Sequence, residues 1–96
     1  MSDLPRTVEE IIEEVRGEVR RQERKWSPNP RGLSMERWLV IIGEKYGECC
    51  EAVLDHRPPE ALLEELVQVA ACCVSAIVDL CAQMGEWGAG STDSQP

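Results

Sequence analysis

Four carboxylates recur at helical spacing near the middle of the chain: Glu44, Glu48, Glu51 and Asp55. At about 100° per residue they share one helical face, within a stripe about 60° wide. Oxygen ligands grouped in this way suit Mg²⁺ or Mn²⁺, and acidic neighbours at i, i+4 repel each other when no cation is present. A plain solvated acidic face has the same pattern, so the spacing alone leaves both interpretations open.

A second polar line follows in the next segment, where residues 66–78 are otherwise almost wholly apolar. Its members are Glu65, Gln68, Cys72, Ser75 and Asp79. Unpaired polar groups are costly to bury, so this line is predicted to face polar partners or water. If it faced the acidic stripe across two antiparallel helices, an oxygen-rich cleft would form between them.

The elements that must position these side chains are all helical. Apolar residues recur at helical spacing, and nothing in the chain is typical of a strand. We predict one all-α domain over residues 1–84, with helices at about 7–26, 35–56 and 60–84.

The ends of these helices follow from local sequence signals. Thr7 and Glu10 form a capping box, Ser34 is an N-cap, and Pro59 suits a first helical turn. Gly85 is predicted to end the third helix, and residues 85–96 to form a disordered tail.

The third helix is apolar nearly all round, so it must be covered nearly all round. Two other helices from a chain of 96 residues can hardly cover it. We therefore expect a helical bundle that is completed by oligomerisation, as a homodimer or a homotetramer.

Charge and cysteine content limit the class of protein. The net charge is -8, and residues 32–96 hold eleven acidic but only three basic side chains, which argues against nucleic-acid binding.

The five cysteines are odd in number and form no C-x-x-C pair, which indicates free thiols in a reducing compartment. No secretory signal is present and the apolar run at 66–78 is too short to span a bilayer, so we expect a cytoplasmic protein without membrane contact.

Aromatic and basic residues near the acidic stripe allow two interpretations each. Trp26, Trp38 and Tyr46 could stack on a base, although a helix-facing tryptophan in so small a domain more often packs in the core. Arg31 and Arg37 could contact phosphate oxygens, although a solvated arginine is more usual.

Two segments together resemble a known family. Residues 44–52 (EKYGECCEA) and 64–68 (EELVQ) are similar to the motifs E-E-x-G-E-x-x-E-A and E-E-L-x-D of the MazG-type all-α nucleoside triphosphate pyrophosphohydrolases. The similarity runs from about Gln22 to Leu80 and includes the order and spacing of both motifs.

The resemblance implies a helical oligomer that hydrolyses a nucleoside triphosphate to the monophosphate and pyrophosphate, which would clean the nucleotide pool of noncanonical or excess triphosphates. It implies Mg²⁺, with Mn²⁺ as a substitute, on Glu44, Glu48, Glu51, Glu65 and Gln68. Glu44 and Glu48 would be catalytic. The substrate-binding candidates are Trp38, Lys45, Arg37 and Asp79.

Two positions depart from the family pattern. The first residue of E-x-x-E falls on Lys45, and the last of E-x-x-D falls on Gln68. A lysine can supply the charge of a metal ion, and a glutamine offers an amide oxygen. The alternative is therefore a relative that binds a nucleotide or a protein partner without hydrolysis; a purely structural bundle is a third possibility.

Overall fold

The computed structural model describes residues 4–5 and 7–89. It contains three helices and, within the described residues, no strand. The helices are α1 (Val8–Lys25), α2 (Met35–Leu54) and α3 (Pro59–Ala89). The predicted all-α class is confirmed.

The predicted helix starts are also confirmed. Thr7 and Glu10 exchange both hydrogen bonds of a capping box at the start of α1. The Ser34 side chain accepts a hydrogen bond from the backbone N–H of Arg37 at the start of α2. These contacts satisfy backbone donors that a helix leaves free in its first turn.

The predicted end of the third helix is wrong. α3 continues through Gly85 to Ala89. A glycine inside a helix costs only about 1 kcal/mol relative to alanine, so it does not by itself end a helix. Residues 90–96 of the predicted tail lie outside the described residues.

α3 is the central element, and the other two helices pack against it. α2 runs antiparallel to α3, since Trp38 contacts Asp79 and Lys45 contacts Gln68. α1 runs parallel to α3, since Gln22 lies beside Cys72 and, nearer the start of both helices, Glu13 and Glu60 line one groove. The buried cluster of Trp38, Cys72 and Ala76 lies where α2 meets α3.

Large apolar side chains remain exposed on the outer faces of α2 and α3. On α3 they are Leu66, Val74, Ile77, Leu80 and Met84, and on α2 they are Leu39, Val40, Tyr46, Val53 and Leu54. An apolar surface of this extent is typical of a region that contacts another molecule.

The segment Pro59–Gly85 of α3 is long and apolar enough to cross a membrane by length and composition. From the sequence, the apolar run at residues 66–78 is expected to be too short to span a bilayer. The segment that meets the length criterion is longer because the apolar character of α3 extends beyond that run. Core helices of soluble bundles meet the same criteria, so a cytoplasmic location without membrane contact stays a prediction.

Candidate functional site: a basic cleft between α1 and α2

A cavity of about 560 Å³ lies between the end of α1 and the first half of α2. Trp38, Ile41 and Cys72 line it together with five basic side chains, which are Arg21, Lys25, Arg31, Arg37 and Lys45. Glu44 also lines it. A protein of net charge -8 thus concentrates half of its ten basic side chains around one cleft.

The Arg31 guanidinium is held in this cleft by contacts with the protein, but one of its nitrogens lacks a hydrogen-bond partner. Its Nε donates to the backbone oxygen of Ser27 at 3.1 Å, and its Cζ lies 5.4 Å from the centre of the Trp38 ring. Arg31 Nη2 is buried and has no hydrogen-bond partner among the described residues. Because an unsatisfied buried donor is unfavourable, an anionic oxygen in the cleft would be a stabilising partner for it.

The backbone next to Arg31 is bound by Asp79 of α3. The Asp79 carboxylate accepts hydrogen bonds from the backbone N–H groups of Gly32 (2.9 Å) and Leu33 (3.1 Å) and from Trp38 Nε1 (2.6 Å). Asp79 is fully buried and does not line the cleft. Burial alone would raise the pKa of Asp79, but these hydrogen bonds outweigh burial and hold the pKa below its usual value.

Two further α3 side chains bind the same α1–α2 loop. Ser75 Oγ accepts a hydrogen bond from Asn29 Nδ2 at 3.0 Å, and Gln83 Nε2 donates to the backbone oxygen of Leu33 at 2.8 Å. Ser75, Asp79 and Gln83 are spaced four residues apart, so they lie along one face of α3. The polar line of α3 therefore has two kinds of partner. Gln68 meets Lys45 of α2, whereas Ser75 and Asp79 bind the loop, and Asp79 also binds Trp38 of α2.

The two motif segments do face each other across α2 and α3. Lys45 Nζ lies 3.4 Å from Gln68 Oε1 and 3.6 Å from Glu48 Oε1. Glu65 Oε2 lies 4.0 Å from Arg57 Nη1, while Glu65 Oε1 is buried and without a hydrogen-bond partner in the described chain. The antiparallel pairing inferred for the two polar lines is present here, with an ammonium group between the motif residues.

The other predicted ligands lie on the outside of α2. Glu44 and Glu51 are exposed, and with Lys45, Gly47 and Glu48 they line an open depression of about 520 Å³. Over residues 4–5 and 7–89, no three His, Cys, Asp or Glu side chains are grouped so that they could hold a metal ion. The five predicted ligands are thus neighbours, but they do not converge on one point.

A larger groove of about 730 Å³ lies between α1 and the first half of α3. Its lining includes five glutamates, namely Glu13, Glu14, Glu18, Glu60 and Glu64. The two arginines there are Arg21, which forms an ion pair with Glu18 at 2.7 Å, and Arg24. Negative charge on its walls makes this groove unfavourable for a phosphate ligand, despite its size.

The aromatic candidates take different positions. Trp38 is 1% exposed and belongs to the core, as expected, while its ring also lines the cleft. The expectation of core packing is wrong for Trp26, which is 67% exposed. Tyr46 is also exposed, at 62%. Trp26 lies at the cleft, where Lys25 Nζ is 5.1 Å from the centre of its ring.

Sequence reasoning missed the contribution of α1 to the site. Arg21, Gln22 and Lys25 line the cleft. Basic residues at the end of a helix are favoured by the helix dipole, so their presence there does not by itself predict a binding site. The available signal was the concentration of basic residues directly before a loop that contains Arg31.

The cysteines are free thiols, and two of them are buried, Cys49 and Cys72. Burial raises the pKa of the Cys72 thiol. For Cys49, burial and then the nearby Glu65 carboxylate raise the pKa. Both thiols therefore act as small core side chains, as predicted, and are poor nucleophiles.

Comparisons with known proteins add no family assignment. No protein-family model matches the chain, and neither the curated proteins nor the solved structures include a match.

Proposed function

We propose that this protein binds nucleoside triphosphates, with the polyphosphate in the basic cleft. The observation that carries this proposal is the unpartnered buried Nη2 of Arg31 in a cleft lined by five basic side chains. Planar guanidinium groups bind phosphate oxygens through paired hydrogen bonds. The resemblance of the motif segments to nucleoside triphosphate pyrophosphohydrolases names the class of ligand.

The residues present do not fit the metal ion that the resemblance implies. Lys45 Nζ lies between Gln68 and Glu48, which are two of the motif positions, and Arg57 is paired with Glu65. A cation placed among them would be repelled by the ammonium group. Lys45 also lines the basic cleft, so in this proposal it supplies positive charge to the phosphates in place of a metal.

Hydrolysis is the second candidate function, and the position of Glu44 favours it. Glu44 is the acidic residue in the lining of the basic cleft. Its carboxylate could take a proton from a water molecule that attacks the α-phosphorus. The bond from that phosphorus to the bridging oxygen would break, which releases the nucleoside monophosphate and pyrophosphate.

Oligomerisation belongs to the same proposal. The exposed apolar side chains of α2 and α3 give a second copy a large surface to cover. Burial of apolar surface stabilises by about 25 cal/mol per Å². We expect a homodimer, or a homotetramer built from such dimers.

A calorimetric titration with a panel of standard and modified nucleoside triphosphates, in EDTA, tests binding. Saturable binding is expected without metal, and Arg37→Ala should weaken it. The matched control is Arg20→Ala, which removes an exposed arginine of α1 outside the cleft. Absence of binding by the folded wild-type protein, or equal losses in both variants, contradicts the proposal.

Pyrophosphate release from the same panel, in Mg²⁺, Mn²⁺ or EDTA, separates hydrolysis from binding alone. Turnover that Glu44→Gln abolishes, while triphosphate affinity is retained, establishes the hydrolase. Binding without turnover in any condition establishes the binding protein.

Thermal unfolding with added Mg²⁺ or Mn²⁺ tests the role of Lys45. The wild-type melting temperature should not respond to either ion, whereas that of Lys45→Glu should rise, because a third carboxylate then joins Glu48 and Glu65. An equal response of the two proteins would show that Lys45 does not take the place of a metal.

A further inference from the structure

We propose that Asp79 is a positioning residue, which holds the Arg31 guanidinium in the basic cleft through the backbone of the α1–α2 loop. This inference rests on the proposed binding of a triphosphate in that cleft. In this proposal the buried Asp79 carboxylate strengthens triphosphate binding without contacting the ligand.

The local backbone explains how one carboxylate can hold this segment. Gly32 has a φ of 77°, a left-handed conformation that costs little for glycine. The backbone N–H groups of Gly32 and Leu33 then both point at Asp79, and the N–H of Arg31 also lowers the pKa of that carboxyl. Two successive N–H groups thus donate to one carboxylate, which holds the turn that carries the Arg31 side chain.

The same carboxylate also fixes the surface on which Arg31 rests. Trp38 Nε1 donates to Asp79 Oδ2, and the Arg31 guanidinium lies over the Trp38 ring. Asp79 thus determines both the backbone from which Arg31 extends and the aromatic face beneath its guanidinium. Loss of the carboxylate would free both at once.

The position of the Arg31 guanidinium is important for ligand binding, because its hydrogen bond to the protein uses only one of its N–H donor groups. Nε is held by the Ser27 carbonyl, and Nη2 remains for a ligand. If the loop moved, Nη2 could reach water instead, and the preorganised donor would be lost. The expected result is weaker triphosphate binding without any change in the residues that contact the ligand.

A double-mutant cycle on the full chain distinguishes positioning from a general structural effect. Calorimetry would give the affinity for inorganic tripolyphosphate and for one nucleoside triphosphate, in EDTA, well below each melting temperature. The proteins are wild type, Asp79→Asn, Arg31→Ala and the double variant. Asp79→Asn should weaken binding about tenfold when Arg31 is present and have little effect in the Arg31→Ala background, because coupled residues are not additive.

Two further variants keep the test conclusive if Asp79→Asn folds poorly. Gln83→Leu removes the hydrogen bond to the Leu33 carbonyl and should weaken binding by a smaller factor, again only with Arg31 present. Cys49→Ala is the control: it removes a buried side chain of α2 outside the loop and the cleft and should lower stability while affinity is kept.

The outcomes separate this inference from the proposed function. If wild type binds neither tripolyphosphate nor the nucleotide, the proposed function fails and the inference fails with it. If wild type binds but Asp79→Asn and Gln83→Leu bind equally well, or lose the same factor with and without Arg31, only the positioning role of Asp79 is overturned.

Discussion

At the scale of single residues, Arg31 is the side chain on which the proposed triphosphate binding should depend most. Its pairing is incomplete in the free protein, so its removal should cost affinity more than it costs stability. Hydrogen bonds to charged groups contribute about 1.5–3 kcal/mol, so Arg31→Ala should raise the Kd about tenfold or more. Arg31→Lys should recover part of the loss, since lysine keeps the charge but not the planar donor set.

The control for this prediction is Arg16→Ala. Arg16 is exposed on α1 and forms an ion pair with Glu13 at 3.0 Å, away from the cleft lining. Isothermal titration would compare the two alanine variants at one salt concentration. Similar Kd values for both would show that general charge, and not the position of Arg31, determines binding.

Asp79 gives a pH prediction at the same scale. Its pKa is lowered in the folded protein, so its ionised form stabilises the fold at pH values above its unfolded pKa of about 4. That stabilisation is lost as the pH falls below 4, toward the folded pKa. The melting temperature of wild type should therefore fall more steeply between about pH 5 and pH 3 than that of Asp79→Asn, measured by circular dichroism; parallel curves would contradict this assignment.

At the scale of elements, the α1–α2 loop depends on the backbone conformation of Gly32. A Cβ at Gly32 would meet no atom within 4 Å, and the same holds at Gly17 in the middle of α1. The two sites differ in φ, which is 77° at Gly32. Gly32→Ala should lower the free energy of unfolding by about 1–2 kcal/mol, whereas Gly17→Ala should raise it by up to about 1 kcal/mol.

Urea denaturation followed by circular dichroism measures both changes. Because neither substitution creates a steric overlap, the opposite signs isolate backbone strain as the cause. A stabilising effect of Gly32→Ala would show that this residue does not need the left-handed conformation.

Helix positions were largely predictable from the sequence, and the site was not. The capping residues Thr7 and Ser34 act within one turn, so local sequence is sufficient for them. The cleft depends on contacts between residues far apart in the chain, such as Asp79 with Gly32. A polar line on a helix shows that partners exist, but not whether they come from a facing helix or from a loop.

At the scale of the whole molecule, the exposed apolar surface predicts self-association. Ile77 on α3 is 58% exposed and Ile12 on α1 is 50% exposed, which makes them a matched pair. Ile77→Asp should reduce the oligomer to a smaller species, whereas Ile12→Asp should not, because Ile12 lies outside the apolar faces of α2 and α3. Size-exclusion chromatography with light scattering gives the mass of each, and a monomeric wild type would contradict the expectation.

The most direct test of the account is to locate a bound triphosphate by NMR. Side-chain signals of tryptophan and arginine, with backbone amide signals, would be followed as a nucleoside triphosphate is added in EDTA. If the triphosphate binds in the basic cleft, the largest shifts are expected there, for the Trp38 indole N–H, the Arg31 guanidinium and the amides around Lys45. Shifts confined to the acidic groove near Glu13 and Glu60, or no shifts at saturating ligand, would contradict it.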